Sequence, residues 1–479
     1  MTGTTAVLVL PRRMAVWAAR RALARNSLTG IELGCYLCAA VWFSAGTPLA
    51  ALGGGAALGT GYLARRIGGQ LTVSPGGRLP GSPRSPLRAG AYAKSAYAGW
   101  LAVSCALAGE LGVYAGLAVG MTGNPVLAWK LAAGAAMLLA LRKVARLCRA
   151  AAAAGTGPGR PGAALGAPPA TGSAQPAGSA QAAGPAQPSS PGQTAAAETE
   201  TETETAEPRL TIGTLAAQVL AVPAWVRALV ITGTAAYYGN RIALQALLGC
   251  GAVGLAWALV AGPHRGMQRA AAEPGPDRAP GAGGVADCRD DGPIARFAGA
   301  VVHGQLVPLP PAVAGLIATV LLCTLGLGTL DGWVLLTPAA AMLLAAPGSA
   351  HPHDGRLDWL APVIIQAGQY IYLAALGFAF GIPGPVTFGL IGAIALRQLD
   401  VAYQARRPVA PGGARGSIGW EGRMLVAGFS AMVGLGTVGY LALIGYLGWL
   451  LCCSGLTGWF FAARRAIPGR VRRDLAVRS

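Results

Sequence analysis

The chain is a succession of apolar runs, each close to the ~20 residues that a helix needs to cross a bilayer, separated by short polar stretches loaded with arginine. The runs lie at 27–46, 48–64, 95–119, 123–141, 212–235, 240–261, 309–328, 331–346, 358–380, 384–402, 424–442 and 443–462. They predict an all-α fold: a polytopic integral membrane bundle of about twelve transmembrane helices in two groups of six. Arg12, Arg13, Arg20, Arg21 and Arg25 precede the first run, and Arg65, Arg66, Arg78, Arg84 and Arg88 follow the second. Further clusters stand at Arg142, Lys143, Arg146 and Arg149, at Arg265 and Arg269, at Arg406, Arg407 and Arg415, and from Arg464 to Arg473. With this count every cluster falls on one side, which the positive-inside rule makes the cytoplasm, so both termini are expected there and the protein is expected in the cell membrane. Met1 to Leu10 is too short for a signal-peptide core and lacks a following small-residue cleavage site, so the first span is expected to be retained.

Composition excludes a soluble domain: 53% of residues are hydrophobic and 11% charged, with a mean hydropathy of +0.50. A net charge of +19 would suit nucleic acid, but the arginines lie in clusters between apolar runs rather than along one polar face. The expected partner is therefore the lipid bilayer and not nucleic acid. The nine cysteines are scattered, mostly within apolar runs, which argues for small buried thiols rather than disulfides.

Two stretches interrupt the apolar pattern. Residues 150–209 are Ala, Gly, Pro, Ser and Gln followed by alternating Thr and Glu, too polar and too simple to offset chain entropy, and are expected to be a disordered cytoplasmic linker. Residues 263–295, rich in Gly, Pro and Asp, are expected to form a polar inter-domain loop. The resulting division is 1–149 with 210–262 as one six-helix unit, and 296–479 as a second.

Chemistry-bearing residues are few in the first half. No aspartate precedes Asp277, and only Glu32 and Glu110 are acidic before the linker. The run from Ala19 to Thr29, followed by an apolar span and Thr60-Gly61-Tyr62-Leu63-Ala64-Arg65, resembles the opening of a CDP-alcohol phosphatidyltransferase. That family carries Asp-x-x-Asp-Gly-x-x-Ala-Arg on one helix and Gly-x-x-x-Asp-x-x-x-Asp on the next. The resemblance implies a six-helix bundle, a homodimer as partner, and four carboxylates that hold divalent metal against the CDP diphosphate. Its Gly, Ala and Arg fall on Gly61, Ala64 and Arg65, but its aspartates fall on Ala57, Thr60, Ala102 and Ala106. Neither Ala nor Thr replaces a carboxylate as a hard oxygen ligand, so the family's metal-assisted transfer is not expected. The second half, through Leu357-Asp358-Trp359-Leu360-Ala361-Pro362, Gln369-Tyr370, Leu399-Asp400 with Tyr403, and Gly419-Trp420-Glu421-Gly422-Arg423, resembles a C-terminal membrane domain of unknown function fused behind that transferase in actinobacteria.

Acidic residues return in the second half as Asp331, Asp354, Asp358, Asp400 and Glu421, near the ends of runs and beside Arg356, Arg397, Arg406 and Arg423. Ionisable groups at membrane depth are costly, and they either serve function or form interfacial ion pairs. Asp400, Asp358 and Glu421 are the candidate catalytic carboxylates. Arg65, Arg397, Arg423, Tyr403, Gln369 and Glu110 are the candidate substrate-binding residues, the arginines being suited to fork onto phosphate oxygens. Asp400 follows Arg397 by three residues and precedes Tyr403 by three, which puts all three on one helical face. No dedicated metal site is expected: His351-Pro352-His353-Asp354 reads as an exposed loop, and Mg²⁺ enters only if the C-terminal carboxylates bind it. Three functions remain open at this point. One is a catalytically silent, phosphatidyltransferase-like binding, scaffold or regulatory protein of membrane-lipid or envelope metabolism. The second is an enzyme acting on a phospholipid or isoprenoid phosphate through the C-terminal acids, and the third is a transporter.

Overall fold

The computed structural model describes residues 25–70, 86–155, 224–260, 285–303, 305–325, 332–351, 355, 357–404 and 417–466. Among them the structure is helical throughout. The first group comprises α1 (Arg25–Ser44), α2 (Pro48–Gln70), α3 (Pro86–Val119), α4 (Pro125–Gly155), α5 (Ala224–Tyr238) and α6 (Asn240–Val260). The second comprises α7 (Pro293–Val302), α8 (Leu309–Leu325), α9 (Thr337–Met342), α10 (Leu360–Ala379), α11 (Gly384–Gln404), α12 (Gly419–Met432) and α13 (Gly436–Ala466). Short 3₁₀ segments flank α9 at Gly332–Leu336 and Leu343–Ala350.

Seven segments are long and apolar enough to cross a membrane: Asn26–Ser44, Ala98–Val119, Asn240–Val260, Gly332–Ala350, Leu360–Ala379, Gly384–Gln404 and Gly436–Thr457. The expected twelve therefore reduce to seven that meet both conditions among the described residues. Packing agrees with a lipid surround. Buried positions are filled with small side chains such as Ala39, Ala132, Ala136 and Ala243, while Val41, Leu49, Leu229, Val260, Leu325 and Trp449 face outward. Helices in lipid gain nothing by hiding large apolar groups from their surroundings, so small residues at the contacts and large ones outside is the arrangement van der Waals packing favours.

Three boundaries differ from the expected ones. The linker expected to begin at 150 does not, because α4 runs on through Ala150–Ala154 to Gly155, and alanine is the best helix former. The break expected between 442 and 443 is also absent. The chain turns instead at Val433-Gly434-Leu435, where Gly434 has φ +76°, and α13 is continuous from Gly436. Finally, the end of the expected polar loop is interior: Val285–Cys288 forms a 3₁₀ turn, and Arg289, Asp290 and Asp291 are buried. Asp331, His353, Asp354 and Arg356 lie outside the described residues, as do 156–209 of the linker.

The two groups share one interior. In the first, α1 packs on α2 and α3, α5 bridges α2 and α6, and α4 lies on α3 and α6. From the second, α10 and α11 lie on α4, and α11 and α13 lie on α3. Close approach is built in by glycine. A Cβ at Gly116 would enter the Ala40 backbone, and one at Gly120 would meet the Phe43 carbonyl and, at 2.6 Å, Asn240 Nδ2. That amide donates to the carbonyls of Phe43 (3.0 Å) and Leu117 (3.2 Å), tying the ends of α1 and α3 to the start of α6. Gly120→Val is accordingly expected to destabilise the protein by about 1–3 kcal/mol, as overpacking does, read as a lower unfolding midpoint in detergent.

Candidate functional site

Five helices of the first group converge on two carboxylates at membrane depth. Glu110 Oε2 accepts from Arg227 Nη1 at 2.8 Å, while Oε1 lies 3.5 Å from Lys143 Nζ and 3.9 Å from Arg65 Nη1. Arg65 Nη1 is also 3.6 Å from Glu32 Oε1. Local sequence explains the convergence. Gly109, where a Cβ would sit 2.7 Å from the Tyr36 side chain, lets α1 lie against α3 and brings the Glu32 face of α1 beside Glu110. Gly61 does the same for α2, with a notional Cβ at 3.0 Å from Cys35 Cβ.

Both carboxylates are buried, whereas the Arg65 side chain is 35% exposed, so the cluster opens along α2. Tyr36, Tyr62, Tyr114, Leu58 and Ile231 line a cleft beside Glu110 and Arg227 that encloses about 30 Å³, room for one or two waters. Arg142 and Arg146 stand close enough for their charges to act on Arg227 and Glu110. Among the described residues, Arg65, Lys143 and Arg227 gather on the two carboxylates Glu32 and Glu110. Positive charge in excess at a low-dielectric site attracts an anion.

The second group contains a different kind of cluster. Asp400 Oδ2 accepts from Arg397 Nη1 at 2.7 Å and from Gln404 Nε2 at 2.9 Å, and its Oδ1 accepts from Trp100 Nε1 at 3.0 Å. Gln404 also donates to Ser454 at 3.0 Å, so Asp400 joins α11 to α3 and α13. Arg423 donates from Nη1 to Asp290 Oδ2 at 2.5 Å and from Nη2 to Gln369 Oε1 at 3.4 Å. Arg289 Nε pairs with Asp291 Oδ2 at 2.8 Å, and Asp291 Oδ1 accepts from Trp420 Nε1 at 2.9 Å. Glu421 Oε1 caps α7 by accepting from the Ala295 N–H at 3.1 Å.

Here charges balance almost one for one: Arg289, Arg397 and Arg423 face Asp290, Asp291, Asp400 and Glu421, all buried. Burial alone would raise the Asp290 carboxyl, but the guanidiniums of Arg423 and Arg397 and hydrogen bonds from Arg423 and Ser417 hold it below the ordinary carboxylate range. Burial pushes Glu421 upward, opposed by N–H groups of Ala295 and Gly292.

The expected residues therefore separate. Arg65 and Glu110 meet in the cationic cleft. Arg397 and Asp400 meet as their spacing implied, and Arg423 with Gln369 and Glu421 extends the balanced network. Tyr403 follows another path: its hydroxyl packs toward Gly99, and Gln404 rather than Tyr403 bonds Asp400. Asp358 stands apart, buried, with Oδ2 accepting from the Gly355 N–H at 2.9 Å and lying 3.9 Å from His351 Nδ1. Asp358, Asp400 and Glu421 thus lie in separate hydrogen-bond networks, and among the described residues no three His, Cys, Asp or Glu groups converge on one point.

Sequence reasoning missed Lys143 and Arg227 in the cleft, and Arg289, Asp290, Asp291 and Trp100 in the network. Lys143 was legible only as a topology marker in a basic cluster, and Asp290 and Asp291 fell in a stretch that read as loop. Arg227 carried one usable signal, a lone cation inside an apolar run.

Comparison with known proteins reaches the second group alone. No curated protein and no solved structure matches the chain. Residues 278–466 match the model of a family of unknown function, DUF5941; the match supports the expected C-terminal domain of unknown function, contains every residue of the balanced network except Trp100, and carries nothing on phosphatidyltransferase chemistry.

Proposed function

We propose that the protein is a membrane-embedded binding protein for a phosphate-bearing amphiphile, a phospholipid or an isoprenoid phosphate, and that it takes the phosphate where the Glu110 cluster opens at Arg65, beside the cleft, without transferring a phosphoalcohol group. The observation that carries this reading is the convergence of Arg227, Lys143 and Arg65 on Glu110, with Glu32 the one further carboxylate in the cluster among the described residues. Cations held by a shared carboxylate are preorganised, and an incoming phosphate takes over part of their coordination without a desolvation cost being met again. The tyrosines of the cleft supply apolar wall with polar tips, suited to the junction of headgroup and chain.

The phosphatidyltransferase resemblance frames the reading without supplying its chemistry. Glu110 lies one helical turn beyond Ala106, the position that resembles the family's last aspartate, and Ala106 is fully buried. A carboxylate surrounded by arginine and lysine suits an anion, whereas the family's site is built for a cation. Asp400 supports the same conclusion, because both of its oxygens already accept, from Trp100, Arg397 and Gln404. The role that follows is binding, scaffolding or regulation in membrane-lipid or envelope metabolism.

The test uses the full chain in detergent. It is expected to retain phosphatidic acid over a diacylglycerol of the same chains, and to release no CMP from a CDP-alcohol with Mg²⁺ or Mn²⁺. Equal retention of both lipids removes the binding reading, and metal-dependent CMP release removes the non-catalytic one.

A further inference from the structure

Away from the Glu110 cleft, a larger groove opens where α10 lies against both α4 and α8. It encloses about 410 Å³, within the ~300–1,000 Å³ of sites that bury small molecules. On the α10 side it is lined by the small side chains of Ala374, Ala375 and Ala379, which leave room beside the helix. Met137 and Cys323 form apolar walls. One charged residue lines it, Lys130, whose ammonium sits 5.7 Å from the centroid of the Phe378 ring, and no acidic residue does.

The position of Lys130 separates this groove from the cleft. It lies near the start of α4, roughly 20 Å along the helix from Lys143 at a rise of ~1.5 Å per residue. The groove therefore faces the leaflet opposite the Arg142–Arg149 end of α4. An apolar trough between helices of a bilayer protein takes an acyl chain, and an ammonium that among the described residues forms no ion pair with a carboxylate pairs with a lipid phosphate.

We propose that this groove is a binding site for one anionic phospholipid, with an acyl chain along the α10 alanines and the phosphate at Lys130. The site is independent of the Glu110 cleft. Native mass spectrometry of the full chain with phosphatidylglycerol or phosphatidylcholine tests it. Wild type is expected to keep phosphatidylglycerol roughly fivefold better, the scale of one exposed charge pair. Lys130→Gln is expected to lose that preference while still binding both lipids, and Ala375→Phe, which fills the trough, to bind both less. Lys130→Arg, which keeps the charge, is expected to keep the preference. Retained preference in Lys130→Gln overturns the headgroup assignment. Unchanged lipid binding in Ala375→Phe overturns the site. Loss of preference in Lys130→Arg overturns the assignment to its charge.

Discussion

Asp400→Ala is expected to lower the stability of the folded protein by about 3–5 kcal/mol, the range seen when one partner of a buried ion pair is removed. The substitution leaves the Arg397 guanidinium, 1% exposed, without its carboxylate, and strips the acceptor from Trp100 Nε1 and from Gln404. Those donors belong to α11 and α3, so the loss loosens the contact between the two helix groups. Asp400→Asn keeps an acceptor for Trp100 and is expected to cost less. Thermal unfolding in detergent measures both, and phosphatidic acid retention by the folded fraction supplies the second readout. An Asp400→Ala protein that melts with wild type but no longer binds lipid would transfer the functional role to Asp400.

Arg227→Ala is expected to reduce phosphatidic acid retention at least about tenfold, since truncating a buried, hydrogen-bonded charge costs more than ~2 kcal/mol. Arg227 makes the shortest contact with Glu110, at 2.8 Å, and its side chain is 13% exposed, so solvent offers little screening. Arg227→Lys keeps the charge but loses the guanidinium fork, and is expected to fall between the two. The double variant Arg227→Ala with Glu110→Gln separates structure from binding. Removing both charges is expected to restore much of the stability, while retention stays low because the phosphate has lost a ligand. Restored retention in the double variant would mean that Arg227 acts only by neutralising Glu110.

These expectations rest on two buried clusters that differ in charge balance rather than in residue type. Arg397 and Asp400 were legible together because helical periodicity alone puts residues three apart on one face. Arg65 and Glu110 were legible separately, as ionisable groups at membrane depth, but nothing along the chain joined them. Lys143 and Arg227 meet Glu110 from α4 and α5 across 33 and 117 positions of sequence, a distance over which local pattern carries no information. Arg289, Asp290 and Asp291 misled for a different reason. Their Gly- and Pro-rich surroundings are those of a loop, yet Arg423 and Trp420 supply the partners that allow the triplet to be buried.

The sequence by itself determined that the chain is helical and apolar enough for a bilayer, because hydropathy over a span of about 20 residues is a local property. The phosphatidyltransferase resemblance rested on residues of the first half, whereas the family match covers 278–466. Helix ends were decided partly by tertiary contact and partly by single residues, as at Gly434. Which charges face one another was decided only by the packing of α1 through α5 and of α10 through α13, since ion pairing depends on positions in space that side-chain spacing along one helix does not reach.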